Sequence, residues 1–597
     1  MISWHPSYQP TPALQLATAW YGARIVLRQN SAEALGIFEF IMKLHNASGG
    51  LWARFVEQGV AFEDVSAFLE YSGQFLSSLG NYFEIGDKKA VPSLSASAIR
   101  KMAQISPDVT EALEHIIEPM FSIPPESLGC PCERLSSNYY LGETRITKEE
   151  ISSIAKIMER NLLEPENTRI YKNIGRPKPI SEILQASVDR VEHAEELDSG
   201  GLGWLVVLRR GDHAPELALV CSELKTSIKH TEDDTQRDVI RHYLRSFRSG
   251  SLEAYQPYKD PAGVRGEWQS IVSISDKEES AKMQALVENA DRFIRTLPWA
   301  IDGENDGKGP FEATRFSDPA FAMVYSLTYV SSIHWEAQNL PNYNDIRQTE
   351  GSKNTVWVNR MSANKDPNRP CPYVHSDERK AFRSCSNIIR FVVTALHERL
   401  GHGTGKLLAE ISPGKYNFDR EKPPINSLTG RPIETWYVVG QTWTSVEGLL
   451  AMVALNAETQ AWGSPHAQAN FAILKHILQD GKGFMVVDYG STTSNIYVWV
   501  DRDRIVSDGK PALGRMLLRL HIYRCTAEVA AFKEWYELLS TVDGEYEKWR
   551  KIVAENPELK WKFVQGNTFL GDDGEVQLKM YEPSNEGIIQ SFAERNL

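Results

Sequence analysis

The chain has 597 residues, 42% of them hydrophobic and 24% charged, with a mean hydropathy of −0.36, a composition that supports a packed core and excludes a mainly disordered or fibrous protein. Lysine and arginine total 65 against 78 aspartates and glutamates, a net charge of −13, which opposes general binding to phosphate backbones, so nucleic acid is not an expected partner. No run of about eighteen apolar residues occurs, the length a spanning helix needs, and no membrane association is expected.

Residues 13–120 place apolar residues at three- and four-residue spacing through ALQLATAWYGARIVL and AEALGIFEFIMKLH, which predicts an all-helical opening block. The start, MISWHPSYQPTPALQ, has neither the basic beginning nor the apolar stretch of a secretory signal. Between residues 165 and 225 the texture changes to short runs, WLVVL and LALVC, separated by RRGDHAPE, and strands with turns are predicted. Helix returns at RDVIRHYLRSF, stops in the Gly/Pro/Tyr-rich segment 249–266, and resumes through SAKMQALVENADRFIRTL. Residues 337–362, AQNLPNYNDIRQTEGSKNTVWVNRMS, read as a long polar loop of the kind that carries function. A helix then leads to HERLGHGTGKLL, a proline-containing loop follows, and helices resume at 446 and 466. The six cysteines, Cys130, Cys132, Cys221, Cys371, Cys385 and Cys525, are few and mostly scattered, which suits reduced thiols and a cytoplasmic location.

The feature richest in chemistry is His397-Glu398-Arg399-Leu400-Gly401-His402. Two neutral imidazoles can hold zinc, and a carboxylate beside them can take a proton from water. The spacing is one residue longer than the common HExxH. Side chains four residues apart on a regular helix diverge by about 40°, and five apart by about 140°, so aiming both histidines at one ion requires the helix to bulge. Gly401 eases such a bulge, and bulges collect at functional sites. The alternative on spacing alone is a pair of histidines capping a helix C-terminus. GHGTGK is not a phosphate loop: three residues separate Gly401 from Gly405, and Leu407 stands where Ser or Thr is needed.

HERLGHGTGKLL resembles the HELLGHGSGKL motif of the dipeptidyl peptidase III family of zinc exopeptidases. The likeness extends in order through TAWYGARIVL, GNYFEIGDKKAVPSL, NTRIYK, YKDPAGVRGEW, NLPNYNDIRQTEGSKN, YNFD and HAQANFAILK. The resemblance implies an α+β fold of two lobes separated by a wide cleft, one mostly helical and zinc-bearing, the other mixed with a small β-barrel. It places residues 1–276 in the mixed lobe, 277–320 in the helical lobe, 321–366 in an insertion with the substrate loop, 367–549 in the catalytic lobe, and 550–597 in a return to the mixed lobe. It further implies zinc bound by His397 and His402, with Glu398 activating the water that attacks the peptide carbonyl. Tyr258 and His466 would stabilise the developing oxyanion, Asn339 and Asn342 would hold the amino terminus of a short peptide, and Arg550 would meet its far end. The implied activity is release of dipeptides from the N-terminus of short peptides by a monomer.

The chain departs from the family at the third zinc ligand, a glutamate in an EECRAE-like helix that does not occur here. Glu447, 45 residues beyond His402, takes that place in one register. In the other, EGLLAMVALNAETQAWGSPHAQANF matches a later family helix without gaps, and the ligand-bearing stretch is missing after Thr444-Ser445. A similar shortfall precedes Tyr258. The second register implies a catalytically impaired relative that binds peptides without cleaving them, since a site lacking its anionic ligand holds zinc less firmly.

Overall fold

A computed structural model describes residues 20–82, 88–142, 144–173, 180–191, 193–198, 205–231, 234–251, 268–312, 320–340, 353–362, 373–398, 405–406, 408, 410–412, 415–416, 425–426, 431–432, 452, 455–456, 460–462, 465–489, 496–526, 528–555, 562–570 and 576–595. The chain divides into two units, one of residues 1–274, 325–334 and 561–597 and one of residues 275–324 and 335–560.

The first unit opens on helices, as the apolar spacing predicts. These are α1 (Ala23–Asn30), α2 (Ala34–Ser48), α3 (Phe62–Ser78), α4 (Ala96–Ala103) and α5 (Pro107–Glu114). Ile37, Phe40, Ile41, Phe68, Phe75, Met102 and Leu113 point inward and are fully buried. The helix Asn585–Ala593 closes the same core with Ile588, Ile589 and Phe592. Ser95 and Ser106 accept hydrogen bonds from the backbone N–H of Ala98 and Val109, satisfying donors that a helix start leaves unpaired.

Strands β1 (Tyr140–Leu141), β2 (Thr168–Asn173), β3 (Ile180–Ala186), β4 (Glu195–Leu197) and β5 (Leu205–Asp212) form one mixed sheet in the order β1-β2-β3-β5-β4. β3 runs antiparallel to β2 and parallel to β5. Ile170, Ile183, Val206 and Leu208 meet Ile154 and Ile157 of α6 (Lys148–Arg160), whose start is fixed by a reciprocal cap between Thr147 and Glu150. The described strands leave this sheet open at β1 and β4 and do not close it into a barrel.

One expectation fails here. WLVVL supplies β5, but LALVC lies in α7 (Ala214–Ser227). Pro215 presets the backbone at the first turn, and Leu217, Val220 and Cys221 are buried at three- and four-residue spacing while Leu219 faces solvent. A five-residue apolar window cannot separate a strand from a half-buried helix, and the flanking residues decide it. The helix predicted at RDVIRHYLRSF is α8 (Asp234–Ser249).

In the second unit, β6 (Ala320–Val330) contributes its first half, Ala320–Val324, to a parallel pairing with β8 (Lys353–Trp357), and β7 (Ala337–Leu340) runs antiparallel to β8. Of the predicted polar loop over 337–362, residues 337–340 and 353–357 are strands and 358–362 a short helix, with 341–352 outside the described residues. The polar composition misleads because Asn339 and Asn354 stand directly opposite each other, both buried, and the Asn339 Nδ2 donates to Asn354 Oδ1 at 2.5 Å. A single amide–amide hydrogen bond occupies a place where apolar alternation is the usual sign of a strand.

The remaining frame consists of α9 (Arg379–Leu396), α10 (Pro465–Asp480), the hairpin β9 (Met485–Tyr489) and β10 (Ile496–Val500), α11 (Lys510–Thr526), α12 (Val529–Ser540) and α13 (Gly544–Glu555). Helix α10 is its axis. Phe471, Ala472, Ile473 and Leu474 are consecutive and all buried, packed among Met516 and Leu520 of α11, Leu539 of α12, Trp549 and Val553 of α13 and the hairpin's Met485, Ile496 and Val498, the enclosure expected of a helix apolar on every side. Lys475 is buried in the same turn and donates to the carbonyls of Leu538 and Thr541 at 3.2 and 2.8 Å. The helix predicted from 446 begins outside the described residues, and Leu455–Asn456 pairs antiparallel with Ala461–Trp462, so it does not run on to 462. Among the described residues no helix is long and apolar enough to cross a membrane.

Phe471→Ala is expected to lower stability by about 3–5 kcal/mol through lost burial and the cavity left behind. Urea unfolding followed by tryptophan fluorescence measures this, and a loss below about 1 kcal/mol would show that α10 is not the packing axis.

Candidate active site

The last turn of α9 is seated on the sheet: Ala395 is buried against Met323 and Val356. Regular helix ends at Leu396, where the N–H of His397 bonds the carbonyls of Thr394 and Val393, and residues 397–398 adopt a wider, π-type turn. The bulge that the histidine spacing requires is thus present at its first two residues; residues 399–404, with His402, lie outside the described ones.

Several contacts fix this end of α9 to the strands beside it. Glu336, just before β7, accepts from Arg390 Nε of α9 at 2.9 Å and lies 3.7 Å from Arg360. Its own carbonyl accepts the Trp357 N–H of β8 at 2.9 Å. Three residues on, Asn339 reaches α9's end: its Nδ2 is 3.3 Å from the carbonyl oxygen of Glu398, in addition to its bond to Asn354. Glu398 itself is 4% exposed. The His397 ring lies 6.0 Å from that of His466, the second residue of α10, and the Trp335 ring also lies 6.0 Å from His466.

Burial, reinforced by His466, holds the His397 imidazole down to about 4, so the ring is neutral with a lone pair to offer at ordinary pH. A neutral half-buried imidazole beside a buried carboxylate at a widened helix end fits half of a zinc site. Among the described residues no group of three or more His, Cys, Asp or Glu is arranged to hold a metal; the other expected ligands, His402 and Glu447, lie outside them, as do Tyr258 and Asn342.

The structure therefore brings together four residues read from the sequence as site residues: Asn339, His397, Glu398 and His466. Arg550 sits on α13, its guanidinium paired with Glu547 through two 2.9 Å bonds. Sequence reading missed Asn354, Glu336 and Trp335. The signal for Asn354 was its place in KNTVW, where a lone polar side chain shares a strand face with Val356.

Residues 112–257, 255–453 and 445–596 match peptidase family M49. The chain belongs to that family. Dipeptidyl peptidase 3 of Homo sapiens is 30% identical over 678 residues, covering 97% of this chain and 90% of its own length, and that of Dictyostelium discoideum is 27% identical over 660, covering 96% and 92%. The solved structure of DPP III from Caldithrix abyssi shares the fold at a TM-score of 0.52 and 14% identity, covering 92% of this chain and 93% of that one. Peptidases of this family use zinc. The stretch matched in the human relative is longer than the 597 residues of this chain, so that relative carries residues absent here. Residues 445–453, which include Glu447, belong to two of the three family matches.

Asn354→Ala removes the acceptor of a buried amide, and a stability loss of about 1–3 kcal/mol is expected. Chemical denaturation would measure it; a change near zero would mean that the pair does not hold β7 to β8.

Proposed function

We propose that this chain is a zinc-dependent exopeptidase that releases dipeptides from the amino end of short peptides. The observation that carries this reading is the bond from Asn339 to the Glu398 carbonyl, because it joins a residue expected to hold the peptide's amino terminus to the one expected to act as base. His397 and His402 hold the metal, with Glu447 as third ligand where the first register applies. Zinc, when bound, supplies a Lewis acid that acidifies water and polarises the scissile carbonyl.

The chain's own residues do the rest. Glu398 takes the proton of the attacking water and passes it to the leaving amine, a transfer for which a buried carboxylate beside the reaction centre suits. Asn339 and Asn342 accept and orient the N-terminal ammonium, which sets cleavage two residues in. Tyr258 and His466 donate to the developing oxyanion, and Arg550 meets the far end of the peptide. The wide cleft, the small β-barrel, the monomeric state and the cytoplasmic location implied by the family likeness belong to the same proposal.

A second reading, a peptide-binding relative impaired in catalysis, draws support from the double matching of residues 445–453 and from the extra residues of the human relative. Two measurements separate the readings. Glu398→Gln is expected to abolish dipeptide release, by at least about a hundredfold in kcat, with zinc content unchanged; full turnover in that variant would refute the base assignment. Elemental analysis after dialysis is expected to find one zinc per chain in the wild type and none in Glu447→Ala. Zinc held equally by both would remove Glu447 from the ligand set, and saturable peptide binding with no cleavage in excess zinc would establish the second reading.

A further inference from the structure

Against Gly405, where the chain leaves the zinc motif, the second unit holds a buried carboxylate that the mechanism does not use. Glu312 is 4% exposed. Its Oε1 accepts the Trp299 indole N–H at 2.7 Å, and its Oε2 accepts the backbone N–H of Gly405 at 2.9 Å. Gly405 is three residues past His402 in HERLGHGTGKLL, the point at which the chain leaves the motif.

The exit is fixed on more than one side. The Lys406 N–H bonds the Phe311 carbonyl at 2.7 Å, and the Leu408 N–H bonds the carbonyl of Cys525 on α11 at 3.4 Å. Gly405 has φ +94°, and a Cβ there would stand 3.1 Å from His521 Cε1 and 3.3 Å from an Arg524 guanidinium nitrogen, so both conformation and space demand glycine. His521 stacks flat on Trp299, ring centroids 3.6 Å apart. Phe311, Leu408, Ile522 and Cys525 seal the site with apolar contact.

Placing a carboxylate in such surroundings is unfavourable unless its oxygens are well bonded. A purely structural plug here would be better made of apolar side chains. A carboxylate differs in binding a backbone N–H strongly and with defined direction, and here that N–H belongs to the glycine leaving the metal motif.

We propose that Glu312 is a positioning residue that clamps the exit of the zinc motif at Gly405 and thereby strengthens the motif's hold on zinc. The inference rests on the zinc-peptidase reading of the site. Outer contacts of this kind typically change metal affinity by about 10- to 100-fold.

The test measures zinc affinity by chelator competition, with hydrogen exchange of the peptide containing Gly405 in metal-free protein, for wild type, Glu312→Leu, Glu312→Gln and Trp299→Phe. Glu312→Leu is expected to weaken zinc about 10- to 100-fold and speed exchange at Gly405, and Glu312→Gln, which keeps one acceptor oxygen, is expected to fall between it and the wild type. Trp299→Phe removes the other bond to the same carboxylate and is expected to leave zinc affinity unchanged. If Glu312→Leu does not fold, Glu312→Gln carries the comparison alone. Wild-type affinity and exchange in the Glu312 variants, or equal weakening by Trp299→Phe, would overturn the clamp. A wild-type protein that binds no zinc would instead overturn the peptidase reading on which the clamp rests.

Discussion

Histidines five residues apart on a regular helix diverge by about 140°, and the proposed site depends on escaping that constraint between His397 and His402. The escape begins at once, because helix α9 widens at residues 397–398. A wide turn loses regular hydrogen bonding and so must be held by its neighbours. Asn339 bonds the Glu398 carbonyl, Ala395 anchors the preceding turn on the sheet, and Glu336 ties α9 to the strands through Arg390. The irregular turn is thus bordered by regular elements, which place a reactive group more exactly than a loop does.

The sequence revealed the motif, the bulge it requires and the helical opening block, because each rests on local spacing. It misjudged LALVC, where Pro215 and the residues beyond the apolar run make a helix, and it read 337–362 as loop, where Asn339 donates a hydrogen bond to Asn354 across two strands. Both misjudgements concern cross-chain pairing or context that no local window holds. Glu336 and Trp335 were invisible for the same reason: an acidic and an aromatic residue at the head of a short strand have no spacing signature. Asn339 and His466 were legible as site residues only through likeness to a family, since nothing in composition links Asn339 to Glu398, 59 positions further along the chain.

Residues 445–453 bear on the scaffold as well as on the metal. α10, with its fully enclosed apolar turn, packs with α11, α12, α13 and the β9–β10 hairpin, and Met452, inside the twice-matched stretch 445–453, is buried in the same cluster. The stretch that carries the candidate ligand Glu447 and is matched twice by the family thus also contributes to the core beneath His466.

Because Asn339 sits on a strand, bonded to Asn354 and to the end of α9, its rotamer is chosen when the protein folds. A side chain on a flexible loop would have to be immobilised anew with every substrate molecule, at about 0.5–1.5 kcal/mol per rotamer-rich group. Here that entropy is lost once, during folding. In the proposed exopeptidase, selectivity for a free amino terminus would then come from a rigid surface that rejects a poor fit, and peptides that lack the amine would find nothing that can rearrange to meet them.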